Sequence, residues 1–270
     1  MFEKLFYTLL LFMNLTCAAQ ATIVEFKTSQ GVIQVNLFDK STPKTVANFL
    51  QYIDEQHYTN SLVHRVSTGF VVQGGGFTFE GAWPLTRLET NNPVINEPIY
   101  SNVKGTIAMA KLSGSANSAT DQWFFNLANN ASQLDIQNSG FTVFGQVIGD
   151  GMTVIEKIAQ LKLCSVDYFQ GIPMAVNEGQ QCADLASPGI ENFVVIENIT
   201  IIDSSEATAD DLNPIKNTLL STSGEPKSPI NNGSGGGSFT WFYLLCLLSF
   251  TVKNVLVKSK KQRKRLLFDI

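Results

Sequence analysis

The chain has 270 residues, of which 44% are hydrophobic and 16% charged, and its formal net charge is −4 at pH 7. This length and composition suit one folded domain of ordinary size with additional segments, and they exclude a largely disordered protein. Seven of the 19 basic residues lie in residues 253–270, so the body of the chain is acidic. Its remaining basic residues are scattered singly, which argues against a nucleic-acid-binding surface.

The N-terminal segment 1–21 has the features of a secretory signal peptide. A basic start is followed by an apolar stretch at 5–15, too short to span a membrane, and by a small-x-small cleavage site at 19–21. Cleavage there would leave Thr22 as the new N-terminus. Cys17 leaves open a lipoprotein, although the residues before it are unusual for lipidation.

Short strands and two helices are predicted after this segment. Residues 22–28 and 32–38 alternate apolar and polar side chains around a turn, which predicts a β-hairpin. A helix is predicted to begin at Pro43 with Thr42 as its N-cap, and a second helix fits 151–161. Further strands are predicted at 62–66, 69–74, 105–110, 122–127, 141–148 and 193–202. This pattern predicts a mainly β fold, an antiparallel barrel with helical caps.

Residues 206–270 divide into three segments of different composition. Residues 206–238 lack apolar periodicity and are rich in Ser, Gly and Pro, which predicts a flexible linker after a folded domain at 22–205. Residues 239–257 are mostly apolar and give a marginal transmembrane helix, since a span needs about 20 residues. The basic tail 258–270 is predicted to lie on the cytoplasmic side.

The cysteines indicate a disulfide in an exported domain. Of four cysteines, Cys17 lies in the predicted signal peptide and Cys246 in the C-terminal apolar segment. Cys164 and Cys182 remain, and they are expected to pair in an oxidising compartment. Two buried free thiols are the alternative.

Several common kinds of active site find little support. The chain has only two histidines, His57 and His64, and no G-x-S-x-G motif, so a serine hydrolase is not indicated. The spacing of its histidines and cysteines is not that of a zinc finger. The glycines 74–76 follow a predicted strand without the Lys-Ser/Thr pair of a phosphate-binding loop, and they predict a bend in the barrel instead.

Uncharged hydrogen-bonding and apolar residues instead accompany one arginine, Arg65. The motifs H-R-V…G-F-V-V-Q-G-G-G-F, G-T-I-A-M-A, Q-x-F-F-N-L and F-x-V-F-G-Q-V occur in this order within residues 22–202. In these motifs the chain resembles the cyclophilin family of peptidyl-prolyl cis–trans isomerases, especially its short periplasmic bacterial branch. The resemblance implies an eight-stranded antiparallel barrel capped by two helices. It also implies an isomerase of proline-containing polypeptides that needs no metal or other cofactor.

The resemblance assigns roles to individual residues. Arg65 matches the catalytic arginine of the family, Phe70 and Gln73 follow it at the family's spacing, and Gln122 matches a glutamine that holds the peptide. The remaining substrate-binding residues that it implies are His64, Ala110, Phe124, Leu134 and Phe141. A non-catalytic peptide-binding or chaperone module on the same barrel is the alternative, and the presence of the arginine motif favours the enzyme. We expect a monomer.

The chain departs from the family pattern at the edge of this site. Trp123 stands where phenylalanine is usual, and Gln133 stands where many members carry an aromatic residue. Residues 163–192, which include both cysteines of the body, form a longer stretch than in short bacterial members. These differences leave the arginine motif intact.

The tail resembles the Gly-Gly C-terminal sorting signals of some Gram-negative bacteria. It has a glycine cluster at 233–237, a short apolar span and a basic end. In that family a rhomboid-type protease removes the span, and the protein continues to the cell surface or the medium. A permanent inner-membrane anchor is the alternative. Both predict an active site outside the cytoplasm, on the periplasmic side of the inner membrane or beyond.

Overall fold

The computed structural model describes residues 22–166, 169–185, 187–205 and 212–220. The predicted signal peptide, the apolar segment 239–257 and the basic tail lie outside these residues. In the described ranges, no helix combines the length and apolar character that a bilayer crossing needs.

Eight antiparallel strands form a closed barrel. The strands are β1 (Ile23–Thr28), β2 (Gly31–Leu37), β3 (Ser61–Ser67), β4 (Val71–Thr78), β6 (Thr106–Met109), β7 (Trp123–Asn126), β8 (Val143–Ile148) and β11 (Val195–Asp203). They follow the order β3–β11–β1–β2–β8–β6–β7–β4 around the barrel. Pairing of β3 with β4 closes the sheet, which confirms the predicted fold. The two-residue strand β5 (Thr86–Arg87) pairs with β4 outside this ring.

The barrel interior is filled by the apolar side chains that alternate along each strand. Phe26 of β1 is fully buried, and its ring lies 5.1 Å from that of Trp123 and 5.6 Å from that of Phe125. Fully burying a large apolar side chain stabilises a fold by about 1.5–3 kcal/mol. This aromatic cluster therefore anchors β1 against β7 and explains why tryptophan is accommodated at position 123.

The first described residue is fixed at one end of the barrel. Thr22 is only 2% exposed, and its backbone N–H donates to Asp39 Oδ2 at 2.9 Å. Its hydroxyl donates to Asp39 Oδ1 at 2.8 Å. Both oxygens of one carboxylate thus hold the beginning of β1.

The described residues contain three α-helices beside the barrel: α1 (Pro43–Asp54), α2 (Ala131–Leu134) and α3 (Gly151–Ala159). The first and the third are the two predicted helices, and both pack against the barrel core through residues such as Phe49 and Ile155. The short α2 was not predicted. Three 3-10 helices lie at Gln137–Ser139, Cys182–Asp184 and Ile190–Asn192.

The N-terminus of α1 is capped by a distant residue. Thr42 is the N-cap residue and Pro43 the first helical residue, as predicted, but the Thr42 hydroxyl makes no cap hydrogen bond and donates to the Phe38 carbonyl instead. The Glu97 carboxylate accepts the backbone N–H of Lys44 at 3.3 Å and that of Thr45 at 2.9 Å. A carboxylate suits this end because the helix dipole is positive there.

The stretch 163–192 contains structure that the sequence analysis did not predict. Strands β9 (Lys162–Val166) and β10 (Phe169–Met174) form a separate two-stranded antiparallel sheet. A disulfide joins Cys164 of β9 to Cys182, which confirms the predicted pairing. Both cysteines belong to a second hydrophobic cluster outside the main core.

Residues 212–220, which we call the C-terminal strap, lie against the barrel. Lys216 forms an antiparallel bridge with Tyr100, and the carbonyl of Ile215 accepts a 2.8 Å hydrogen bond from the backbone N–H of Ser101. The prediction of a flexible linker over all of 206–238 is therefore wrong for this part. An isolated bridge satisfies backbone groups without apolar periodicity, so the sequence pattern did not reveal it.

Candidate active site

Three neighbouring strands place three of the predicted site residues in one row. Arg65 of β3 lies directly opposite Gln73 of β4, which in turn lies opposite Phe124 of β7. Directly opposite residues of antiparallel strands project to the same face of a sheet. The arginine, the glutamine and the phenylalanine therefore share one face.

Hydrogen bonds connect the polar part of this row. Nη1 of Arg65 donates to Oε1 of Gln73 at 3.3 Å. Nε2 of Gln73 donates to Oε1 of Gln122 at 2.9 Å. Arg65 is half-buried and, among the described residues, no carboxylate forms an ion pair with it. Its positive charge is thus held by an uncharged partner.

The glycines 74–76 leave room for the side chains of Gln122 and of Trp123, the first residue of β7. A Cβ on Gly76 would collide with the side chain of Gln122, and one on Gly74 would stand 2.8 Å from the Trp123 ring. Gly75 has φ +96°, a conformation that residues with a Cβ rarely adopt. Close side-chain packing is therefore one reason for three successive glycines at this position.

An apolar cluster flanks the row and brings together the predicted wall residues. Phe124 and Leu134 are buried, and the half-buried Phe70, Ala110 and Phe141 pack against the same cluster. The rings of Phe124 and Phe141 meet edge to face with centroids 5.8 Å apart. Because Phe124 belongs to both the row and the cluster, the apolar wall lies beside Gln73, the hydrogen-bonding partner of Arg65.

His64 lies behind this surface. Its side chain is 5% exposed and packs edge-on against Phe77, with ring centroids 4.8 Å apart. Burial lowers the pKa of His64 to about 4, and its buried Nδ1 has no hydrogen-bond partner among the described residues. We therefore expect His64 to pack behind the site rather than to contact a peptide directly.

Buried asparagines that the sequence analysis did not single out hold the wall in place. Nδ2 of Asn130 donates to the carbonyl of Phe70 at 2.9 Å and to Oδ1 of Asn126 at 2.8 Å. Nδ2 of Asn126 in turn donates to Oδ1 of Asn102 at 3.3 Å. The only sequence signal was a polar residue at the end of the apolar strand W-F-F-N.

The same network reaches the segment 134–141, which we call the wall loop. Asn102 donates to Asp135 Oδ1 from its backbone N–H at 2.8 Å and from Nδ2 at 3.0 Å. Its Nδ2 also donates to the Phe141 carbonyl at 3.2 Å, while the Phe141 N–H donates to the Leu134 carbonyl at 2.8 Å. These bonds join the two ends of the loop.

A lysine holds the tip of the wall loop. Nζ of Lys111 donates to the carbonyls of Asn138 at 2.8 Å and Gly140 at 2.6 Å, and it lies 4.8 Å from the ring centroid of Phe141. Burial lowers the pKa of Lys111 to about 8. Asn138 and Gly140 both have positive φ, so the lysine stabilises a turn of unusual backbone conformation.

The family model for cyclophilin type peptidyl-prolyl cis-trans isomerase/CLD matches residues 23–175. The chain belongs to the cyclophilin family. All predicted catalytic and substrate-binding residues lie within the matched range, whereas β11 and the C-terminal strap lie beyond it. The predicted isomerase class is thus confirmed at the level of the family.

Curated bacterial relatives resemble this cyclophilin over most of their own length. Peptidyl-prolyl cis-trans isomerase A of Dickeya dadantii is 40% identical over 58% of this chain and 80% of that protein. Isomerase B of Escherichia coli is 38% identical over 56% of this chain and 92% of that protein. A crystal structure of a Cryptosporidium parvum cyclophilin aligns at 20% identity with a TM-score of 0.48, over 68% of this chain and 98% of that chain.

No group of three or more His, Cys, Asp or Glu side chains suited to a metal ion occurs among the described residues. The functional groups that the structure brings together are a guanidinium, two carboxamides and an apolar wall. Such a set can bind an uncharged amide and donate hydrogen bonds to it.

Proposed function

We propose that the protein catalyses cis–trans isomerisation of X–Pro bonds in exported polypeptides, with Arg65 acting on the twisted amide. The observation that carries this proposal is the chain of hydrogen bonds from Arg65 through Gln73 to Gln122 beside the apolar wall. These polar side chains supply hydrogen-bond donors that are held in a fixed direction. The wall offers an apolar surface that suits a proline ring.

The chemistry requires only stabilisation of a distorted amide. Rotation about a peptide bond has a barrier of about 18–20 kcal/mol because resonance between nitrogen and carbonyl resists twisting. In the twisted transition state the proline nitrogen becomes pyramidal and its lone pair is localised. A donor aimed at that nitrogen interacts with the transition state and hardly at all with the planar ground state, which is the condition for catalysis.

Each residue of the site has a role in this mechanism. Arg65 donates to the proline nitrogen, and Gln73 holds the guanidinium through the 3.3 Å hydrogen bond. Gln122 binds the peptide backbone next to the proline. Phe70, Ala110, Phe124, Leu134 and Phe141 receive the ring and exclude water, which strengthens the hydrogen bonds of the arginine.

Exchange NMR on a short proline-containing peptide tests the function. The full-length chain is expected to accelerate exchange between the cis and trans resonances. The Arg65→Ala variant is the matched control for catalysis by contaminants. Binding of the peptide without faster exchange would establish the non-catalytic alternative, and absence of both would reject the proposal.

We also propose that the protein works outside the cytoplasm. The sequence features of residues 1–21 support export, and the Cys164–Cys182 disulfide is a bond typical of oxidising compartments. The partners we propose are proline-containing polypeptides, bound by a monomer, with membrane contact through 239–257. Cell fractionation of the native host tests this location. Recovery of the protein with cytoplasmic markers would contradict it.

For the C-terminus we propose processing at the glycine cluster 233–237, followed by release from the inner membrane. The order of glycines, short apolar segment and basic end supports this proposal. Mass spectrometry of the protein from its own host tests it. A new C-terminus near the glycines is expected, and intact Ile270 on most molecules would support a permanent anchor instead.

A further inference from the structure

The C-terminal strap is fixed to the barrel by backbone hydrogen bonds. Ser101 N–H donates to the Ile215 carbonyl at 2.8 Å, and Asn217 N–H donates to the Ile99 carbonyl at 2.9 Å. Ser101 Oγ donates to the Lys216 carbonyl at 3.3 Å. The strap therefore has a defined register on residues 99–101, which lead directly to the buried Asn102 of the site network.

The strap also contacts both ends of the wall loop. Nδ2 of Asn217 donates to the carbonyl of Asp135 at 2.9 Å. Leu220 Cδ1 lies 3.2 Å from the position that a Cβ on Gly140 would occupy. Asp135 directly follows Leu134, and Gly140 directly precedes Phe141. Each contact is thus one residue from a side chain of the apolar wall.

A third contact reaches the apolar wall itself. Leu212, at the start of the strap, packs against the hydrophobic cluster that contains Phe124 and Leu134. The strap therefore meets the wall through one hydrogen bond and two apolar contacts.

This support adds to the hydrogen bonds that Asn102 and Lys111 make to the wall loop. Between Leu134 and Phe141 the chain forms only a short 3-10 helix that includes residues of positive φ. Ordering side chains during binding costs conformational entropy, and holding them in place beforehand improves affinity.

We propose that the C-terminal strap is part of the substrate site, and that Asn217 is a positioning residue that sets the affinity for proline-containing peptides by holding the wall loop. This inference rests on the proposed isomerase function. It extends the functional domain beyond the range of the family match, which ends at residue 175.

The test compares Asn217→Ala with Lys216→Ala in the full-length chain. Lys216 is exposed in the same strap, and only its backbone takes part in the contacts described. Loss of one hydrogen bond that positions the wall is expected to raise KM about 2- to 10-fold with kcat nearly unchanged. Lys216→Ala is expected to keep the parental KM. A parental KM in Asn217→Ala would overturn the inference, even if the variant were less stable.

Hydrogen exchange supplies a readout that does not depend on catalysis. The Phe141 amide, which bonds to the Leu134 carbonyl, is expected to exchange faster in Asn217→Ala than in Lys216→Ala. Replacing 212–220 by nine Gly and Ser residues is expected to increase this effect. If the parent had no isomerase activity, the proposed function would fail. The hydrogen exchange of the Phe141 amide would still show whether the strap supports the wall loop. If the Phe141 amide exchanged at the parental rate in Asn217→Ala and also in the variant with 212–220 replaced, the inference itself would be overturned.

Discussion

Arg65 and Gln73 are direct register partners on the antiparallel strands β3 and β4, and Nη1 of the arginine lies 3.3 Å from Oε1 of the glutamine. The position of the guanidinium is thus set by strand pairing rather than by a loop. Its partner is a neutral carboxamide, which orients the group without neutralising its charge. This arrangement is suited to a donor that must act on a developing lone pair.

Arg65→Ala is expected to lower kcat/KM by about 100- to 1000-fold, because a directed transition-state donor is lost. The measurement is peptide exchange by NMR, with circular dichroism to verify folding. Arg87→Ala, at an exposed arginine of β5, is the control and is expected to retain parental activity. Parental activity in Arg65→Ala would rule out the mechanism.

Gln73→Leu is expected to lower kcat/KM by about 10-fold, mainly because Arg65 loses the hydrogen-bonding partner that orients its guanidinium. Since the glutamine acts through the arginine, the substitution is expected to change little in the Arg65→Ala background. A double-mutant cycle measures this coupling. Additive effects would show that Gln73 works independently, and Gln160→Leu at an exposed site is the control.

Lys111→Met is expected to raise KM about 2- to 10-fold, because the tip of the wall loop loses two hydrogen bonds to the ammonium group. With a pKa of about 8, Lys111 is charged below that pH and increasingly neutral above it. Charged donors form the stronger hydrogen bonds, so the parental KM is expected to rise above pH 8. Lys104→Met, at an exposed lysine, serves as the control. A parental KM that is flat to pH 9.5 would contradict this role.

Replacing Cys164 and Cys182 together by serine is expected to lower the free energy of unfolding by roughly 3 kcal/mol, the effect of opening a loop of this length. Urea denaturation with and without a reductant measures it. Reduction should destabilise the parent and leave the double-serine variant unaffected. Two thiols that react with an alkylating agent in the unreduced native protein would contradict the disulfide.

His64 is expected to make the fold less stable in acid. Its pKa is about 4 in the folded state and 6.5 without burial, so the unfolded chain takes up the proton first as the pH falls. Stability is therefore lost between pH 6.5 and 4, on the order of 3 kcal/mol from this group. His64→Asn should lose less stability over that interval in urea titrations. Equal slopes for parent and variant would refute the assignment, since His57 is present in both.

The sequence predicted the barrel because strand alternation and helix periodicity are local signals. It also indicated which residues form the site, since Arg65 and Gln73 lie on successive strands, where a tight connection makes antiparallel pairing the expected arrangement. The apolar wall was identified through family motifs. Its assembly needs contacts between β7 and the wall loop that only the fold provides.

The features that the sequence analysis did not predict depend on contacts between distant segments or lack the usual sequence patterns of strands and helices. The strand β10 contains Gly171 and Pro173, both unfavourable in a strand, so its pairing with β9 had no clear pattern. Glu97 caps α1 from 53 residues beyond its first N–H partner, Lys44. The buried asparagine network and the C-terminal strap likewise consist of single hydrogen bonds between distant segments, which composition and periodicity do not encode.

Thr22 forms two hydrogen bonds with Asp39 at the start of the barrel. The strength of this interaction depends on whether the predicted signal peptide has been removed. Cleavage after Ala21 would convert the backbone N–H of Thr22 into an ammonium group, 2.9 Å from a carboxylate oxygen. The hydrogen bond to the carboxylate would then gain a positive charge on its donor as well and become an ion pair in a partly buried setting. Removal of the leader would then tighten the β1 end of the barrel, so the domain would reach its full stability only after export.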